Sequence, residues 1–231
     1  MSDTASVIVR DLGRMGYSQA RELQDQTHAE VIAARATGGP AGVVLAVEHD
    51  PVVTVTRRKE AADHVIASPE LLAQHGVERV ETDRGGDVTY HGPGQLVVYP
   101  ILDLQRLGIR LHEHLRLMEE AVIRAIGSLG ILGHRDDAAT GVWVGSQPDA
   151  KICAIGVRVR KWVTLHGLAL NVDPIMEHFG LIVPCGLAGR PVTSLREQLH
   201  TDAPSLDVCA ELVTDQLIAL LDERATEKTG A

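Results

Sequence analysis

The stretch KICAIGVRVRKWVTLHGLALN, residues 151–171, sets two β-rich runs, 152–159 and 162–170, on either side of the basic pair Arg160-Lys161. Branched and large apolar residues dominate both runs, and a two-residue basic turn between them reads as an antiparallel hairpin. A third run, 142–144, precedes the pair and joins it through a turn at Gln147-Pro148-Asp149. Gly156 and Gly167 interrupt the runs, which marks a bulge or a close approach by another backbone.

Outward from this hairpin, strands and helices come in blocks. A strand over 6–10 leads to a helix over 17–36, with Tyr17, Ala20, Leu23, Thr27 and Val31 near helical spacing and Gly38-Gly39-Pro40 as its stop. The runs 43–47 and 52–56 meet at Asp50-Pro51 as in a hairpin. Ser68-Pro69-Glu70 reads as N-cap, first-turn proline and early acid of a short helix closed by Gly76. Strands over 77–81 and 96–102 flank a glycine-rich loop, 84–95. A helix over 111–129 carries Leu111, Leu115, Met118, Val122 and Ile126 on one stripe. A short helix around 174–179 follows the hairpin, and a last helix from Ser205 uses Val208, Leu212, Leu217 and Leu221 as its core face. The blocks do not alternate as regular βαβ units, so the fold class is α+β, a mixed β-sheet with flanking helices. One domain spans 1–223, and RATEKTGA, 224–231, is a flexible tail.

The bulk properties narrow the function classes. A chain of 231 residues buries one substantial core. Its net charge of −9 argues against a nucleic-acid or membrane-surface partner. No apolar run reaches the ~18–20 residues of a membrane span, and the N-terminus lacks a signal-peptide pattern. Three cysteines without regular spacing point to a reducing compartment, and the expected location is the cytoplasm.

Three stretches hold more glycine and polar residues than packing needs. In RGGDVTYHGPGQ, 84–95, Arg84, Thr89, Tyr90, His91 and Gln95 sit among glycines that let backbone N–H groups approach a ligand. The GxxxxGK[ST] spacing is missing, so no nucleotide motif is present. Lys151 opens the second stretch and, read alone, is a strand-end lysine facing water. Arg158, Arg160 and Lys161, together with Arg57-Arg58-Lys59, make one local basic face, centred on the hairpin, that suits an acidic partner. The third, PCGLAGRPVTSL, 184–195, holds Cys185 between proline and glycine, outside any periodic segment. Cys153 and Cys209 lie in a strand and a helix and read as core. A thiol reacts as the thiolate, which needs a neighbouring cation or base. His49, His91, His166 and Lys151 are all candidates for that neighbour. His112 and His114 fall on different helix faces and no CxxC or HExxH occurs, so no metal is expected.

Taken in order, 84–100, 151–172 and 184–195 resemble the octanoyl-carrier-protein:protein octanoyltransferase family, also called lipoate-protein ligase B. The resemblance implies the fold of biotin and lipoate ligase catalytic domains, a mixed sheet with helices around an open pocket. It implies transfer of an octanoyl group from the phosphopantetheine arm of acyl carrier protein to a lysine of lipoyl domains. Those acceptors belong to the E2 subunits of 2-oxoacid dehydrogenases and to the glycine cleavage H protein. Carried over by position, Cys185 is the nucleophile that becomes a thioester, and Lys151 is its proton-handling partner. Arg84, Gly85, Gly86, Asp87, Val88, Thr89, Tyr90 and His91 would line the acyl pocket with Ala154, Ile155, Gly156, Gly167, Leu168 and Ala169. His91 would orient the pair. A thioester donor makes amide formation downhill, so no cofactor is expected, and the enzyme would act as a monomer. The rival readings are an ATP-dependent lipoate or biotin ligase, a non-catalytic carrier-binding module and a thiol hydrolase. Cys185 and the absence of a GRGRxG pattern weigh against the first.

Overall fold

Short-range signals place most of the elements in the computed structural model, which describes residues 6–145, 149–183, 190–200 and 202–229. In chain order these are β1 (Val7–Met15), α1 (Tyr17–Thr37), β2 (Gly42–His49), β3 (Val52–Thr56), α2 (Pro69–Gln74), β4 (Glu78–Thr82), β5 (Val88–His91), β6 (Gln95–Leu102), α3 (Leu104–Leu107) and α4 (Leu111–Ser128). There follow β7 (Gly133–His134), β8 (Gly141–Val144), β9 (Ala150–Arg160), β10 (Val163–Asn171), α5 (Leu195–Leu199) and α6 (Leu206–Thr229), with 3₁₀ turns at Ala61–His64 and Met176–Leu181. Ser68 caps α2 by accepting the Leu71 N–H, as its position before Pro69 requires.

The strands form a seven-stranded sheet, β1-β2-β6-β10-β9-β8-β7, and a three-stranded one, β4-β3-β5. β1 and β2 are parallel, as are β3 and β4; the other pairs are antiparallel. The architecture is thus a mixed sheet with helices on both faces. The β9–β10 hairpin turns on Lys161 and Trp162, both at positive φ (53° and 64°), with Arg160 paired to Val163. Two positive-φ residues match the twist of the flanking strands. Trp162 therefore belongs to the turn rather than the strand.

Four expectations need correction. Runs 43–47 and 52–56 do not pair: β2 already has β1 on one edge and β6 on the other, so β3 joins the second sheet. The loop 84–95 contains a strand, β5, whose four alternating residues are masked in the sequence by flanking glycines. On α4, Met118, Val122 and Ile126 are buried but Leu111 is exposed; on α6 the buried stripe is Cys209, Val213, Leu217 and Leu221, with Val208 at the surface. Finally, α6 continues past 224 instead of ending in a tail there. Arg224 pairs with Glu113, and Arg124 reaches Glu223 at 2.8 Å, which ties the end of α6 to α4.

Core residues fall in three clusters. One lies between the large sheet and α4 and α6, a second between its opposite face and α1, and a third behind β3 and β5. Cys153 and Cys209 belong to the first, as their periodic settings suggested. Pro100 sits inside β6, where it cannot donate to the ladder. Thr164 bridges the gap: its hydroxyl donates to the Pro100 carbonyl (2.6 Å) and accepts the Leu102 N–H (2.8 Å). Gly167 lets β10 close on β6 at this point, since a Cβ there would run into the Val98 carbonyl and the Pro100 ring. We expect Gly167→Ala to cost about 2–3 kcal/mol in urea unfolding, the usual penalty for overpacking. A cost below ~0.5 kcal/mol would mean that the strands can part freely. Among the described residues, no helix is long and apolar enough to cross a membrane.

Candidate functional site

Strand alternation builds the site. On β5, Val88 and Tyr90 turn into the third core cluster, while Thr89 and His91 turn the other way and line a cleft. On the facing strands, Ala154, Ile155 and Gly156 of β9 and Gly167, Leu168 and Ala169 of β10 supply the opposite wall. Arg84 and Gly86 close one side, and the whole encloses about 470 Å³ counted out to its open mouth. The loop is held to β9 where the Gly85 N–H donates to the Val157 carbonyl (2.9 Å). A Cβ on Gly156 would collide with the Gly85 carbonyl, so the two glycines permit that contact.

Of the expected pocket residues, Gly85, Asp87, Val88 and Tyr90 are not in the cleft wall. Gly85 spends its backbone on β9, Asp87 pairs with His64, and Tyr90 exchanges a hydrogen bond with His178 (2.8 Å). Four wall residues were outside the expected pocket: Tyr17, Val97, Tyr99 and His166, the last named only as a candidate neighbour of the thiol. The first three positions looked like core stripes. The available signal was scarcity, because the chain has three tyrosines and two of them are here.

Buried rings surround this cleft. Tyr17 and His91 stack at 6.2 Å, and His49 meets Tyr17, His91 and Tyr99 at 5.5–5.9 Å. Burial pushes His49 down to about 4 and His91 to about 3, so both are neutral at ordinary pH. Partners then assign the protons. His49 Nδ1 donates to the Met15 carbonyl (3.2 Å), which leaves Nε2 to accept from the Tyr99 hydroxyl (2.8 Å). His91 Nδ1 donates to Gln95 Oε1 (2.7 Å), which leaves its Nε2 as an acceptor. Gln95 passes the network on through Asn171 (2.8 Å) to the Thr193 carbonyl (2.9 Å). Burial also lowers His166, which gives a 2.8 Å hydrogen bond to Asp83. Its φ of 61° is unusual for histidine, and its N–H leaves the ladder for Gln24 Oε1 (2.8 Å).

Lys151 does not face water; only 6% of it is exposed. A bulge at Ile152 shifts the β8–β9 register, so Lys151 pairs with Trp143 while Cys153 pairs with Val142. Cys153 stays in the core, and the bulge turns Lys151 onto the other face, the one that carries Ala154 and the cleft. Its amine donates to the Thr140 carbonyl (3.3 Å) and lies 4.7 Å from the Trp143 ring centre. It passes over Gly141, whose register partner Ala154 is a cleft wall. The backbone of Lys151 bonds to Pro191 and Thr193, the segment that follows Cys185. Cys185 itself lies outside the described residues. Arg190, just beyond, stacks 3.5 Å from the Trp143 ring centre and pairs with Asp136 (2.9 Å) and Asp149 (2.8 Å). His91 and Lys151 are therefore linked through Gln95, Asn171 and Thr193. No group of three or more His, Cys, Asp or Glu that could hold a metal occurs among those residues either.

The basic hairpin does not stand free. Arg158 pairs with Asp83, and Arg160 with Asp25 (3.1 Å).

The family profile of the lipoyl protein ligase A/B catalytic domain matches residues 17–217. An octanoyltransferase of Chloroflexus aurantiacus is 46% identical over 213 residues, 92% of either chain. One of Koribacter versatilis is 47% identical over 193 residues, 83% of this chain and 75% of its own. Among solved structures, a lipoate-protein ligase A bound with ATP superposes with a TM-score of 0.64 at 17% identity, over 96% of this chain and 85% of that one. At such low identity the likeness concerns the fold.

Proposed function

The chain belongs to the octanoyltransferase family, within the lipoyl protein ligase A/B catalytic domains, and from that premise we propose that it is an acyltransferase that moves an octanoyl group from acyl carrier protein to a lysine of lipoyl domains. The transfer would pass through a thioester on Cys185. The observation that carries this reading is Lys151, a buried lysine three residues from the cleft wall at Ala154, whose amine meets the Thr140 carbonyl and the Trp143 ring and whose backbone is bound to the segment following Cys185.

In the first step the Cys185 thiol gives its proton to the Lys151 amine, and the thiolate attacks the carbonyl of the donor thioester. The carbon–sulfur bond to the pantetheine breaks, and the departing thiolate takes the proton back from Lys151. In the second, the acceptor lysine amine attacks the S-octanoyl enzyme, an amide forms, and the amine's proton returns to the Cys185 sulfur by way of Lys151. Thioester is exchanged for amide, so the balance requires no nucleotide. Leu168, Ala169 and Ile155 give the alkyl chain an apolar wall, worth about 0.8 kcal/mol per buried methylene. The acceptors would be the E2 and glycine cleavage H lipoyl domains.

Incubation with octanoyl-acyl carrier protein, without ATP, tests this directly. Intact-mass measurement is expected to find one octanoyl adduct, labile to hydroxylamine and missing in Cys185→Ala. An unmodified wild type, or an acylated and active Cys185→Ala, would overturn the assignment.

A further inference from the structure

Resting on the function proposed above, we infer that Arg57, Arg58 and Lys59 form the docking surface for the acidic carrier protein that delivers the acyl thioester. The chain carries a net charge of −9, so three adjacent exposed cations stand out on its surface. Their place in the fold matters more than their number. Thr56, the residue before Arg57, donates its hydroxyl to the Gly86 carbonyl (3.2 Å), and Gly86 is part of the cleft wall. Arg84, another wall residue, donates to the Thr54 carbonyl and hydroxyl (3.2 and 3.0 Å). The end of β3 is thereby pinned to the cleft, and the three cations leave from that point.

The rival basic surface, the β9–β10 turn, fails on two counts. Arg158 and Arg160 are neutralised by Asp83 and Asp25. Distance is the second. The Lys161 turn lies five residues along the chain from His166, the nearest β10 residue of the cleft wall. Five extended residues span about 17 Å. Beyond roughly 10 Å, salt screens such charges from the mouth.

Nearby acids do not cancel the 57–59 cluster. Asp83 is paired with Arg158 and Arg21, and Asp87 is buried against His64. Glu60 and Asp63 are exposed alongside, and the three cations against these two carboxylates leave the patch at a net +1. A carrier protein presents anionic chemistry twice, on its surface and at the phosphodiester of its arm. Val157 of β9, which the Gly85 N–H contacts, lies six residues from Lys151, about 20 Å along the strand. A long flexible arm is suited to cross that gap, whereas a bare lysine side chain on an acceptor domain is not. These features favour the donor over the acceptor.

The test is steady-state kinetics of Arg57→Glu/Arg58→Glu/Lys59→Glu, with Arg57→Ala/Lys59→Ala as a milder second variant. The reversal is expected to raise KM for octanoyl-acyl carrier protein about tenfold or more at low salt, with kcat unchanged, in line with electrostatic steering. The milder variant is expected to shift it the same way. Octanoyl-pantetheine, which has neither protein nor phosphate, should serve both variants as well as it serves wild type. An unchanged KM for the carrier, an equal loss with octanoyl-pantetheine, or a rise in acceptor KM instead would each overturn the inference while octanoyl transfer by wild type stands. Wild type inactive with every donor would defeat the function reading and this inference with it.

Discussion

Lys151→Met is expected to lower kcat/KM for octanoyl transfer by about 10²–10⁴-fold, the range associated with a positioned proton carrier. Methionine keeps an unbranched chain beside Trp143 and removes the amine, so the packing over Gly141 survives. The Thr140 carbonyl loses a donor, which costs about 1–3 kcal/mol in stability. A drop in activity far larger than that cost therefore reports chemistry rather than unfolding. Lys151→Arg separates two roles. Arginine preserves positive charge but does not give up its proton at working pH. If Lys151 shuttles protons, arginine is as poor as methionine; if it only stabilises a thiolate by its charge, arginine restores much of the rate. The rate at which iodoacetamide alkylates Cys185, measured against pH, supplies a second readout: the thiol's apparent pKa should rise in Lys151→Met. Near-normal kcat/KM in that variant would remove Lys151 from the reaction.

Acid is expected to unfold the protein well above the pH at which most carboxylates titrate. His49 and His114 are held at about 4 and His91 at about 3, in each case chiefly by burial. An unfolded imidazole titrates near 6.5. Between these values the unfolded chain binds protons that the folded chain refuses, so stability is complete above ~6.5 and falls as pH drops. By pH 5 each group costs about 2 kcal/mol, and the three together about 6 kcal/mol, against a typical total of 5–15 kcal/mol. Guanidinium unfolding at pH 7.5 and 5.0 should show the difference. His114 supplies a control because it is fully buried in α4, is not part of the cleft wall, and neither ring nitrogen has a hydrogen-bond partner among the described residues. His114→Leu removes about a third of the acid loss without touching the cleft. Equal stability at the two pH values would show that these imidazoles remain solvated.

Elements whose signals are local were readable from the chain. The two-residue turn between β9 and β10 requires both strands, Ser68 and Pro69 require a helix start, and Met118, Val122 and Ile126 recur at the helical period. Errors arose where a residue's neighbour is distant in sequence. β2 and β3 look like a hairpin until β1 and β6 occupy both edges of β2. Val88 to His91 look like a loop until β3 pairs with them. Tyr17 and Tyr99 become cleft walls because α1 packs on the face of the sheet that holds β6, although the two residues are 82 apart in the chain.

Cys185 and Lys151 show the division most sharply. The order of residues alone places a thiol between proline and glycine outside any periodic run and a lysine at the opening of an apolar strand, among the elements of a mixed α+β sheet. It could not choose between a lysine in water and a lysine in the interior, because the two differ by a single residue of strand register. Tertiary structure decided this. The bulge at Ile152 sets the side chain on the face opposite Cys153, against Thr140 and Trp143, and the 191–193 segment bonds its backbone. Side chains alternate with period two along a strand, so one inserted residue exchanges one face of the sheet for the other. Pairing with a neighbouring strand is what determines where that residue goes.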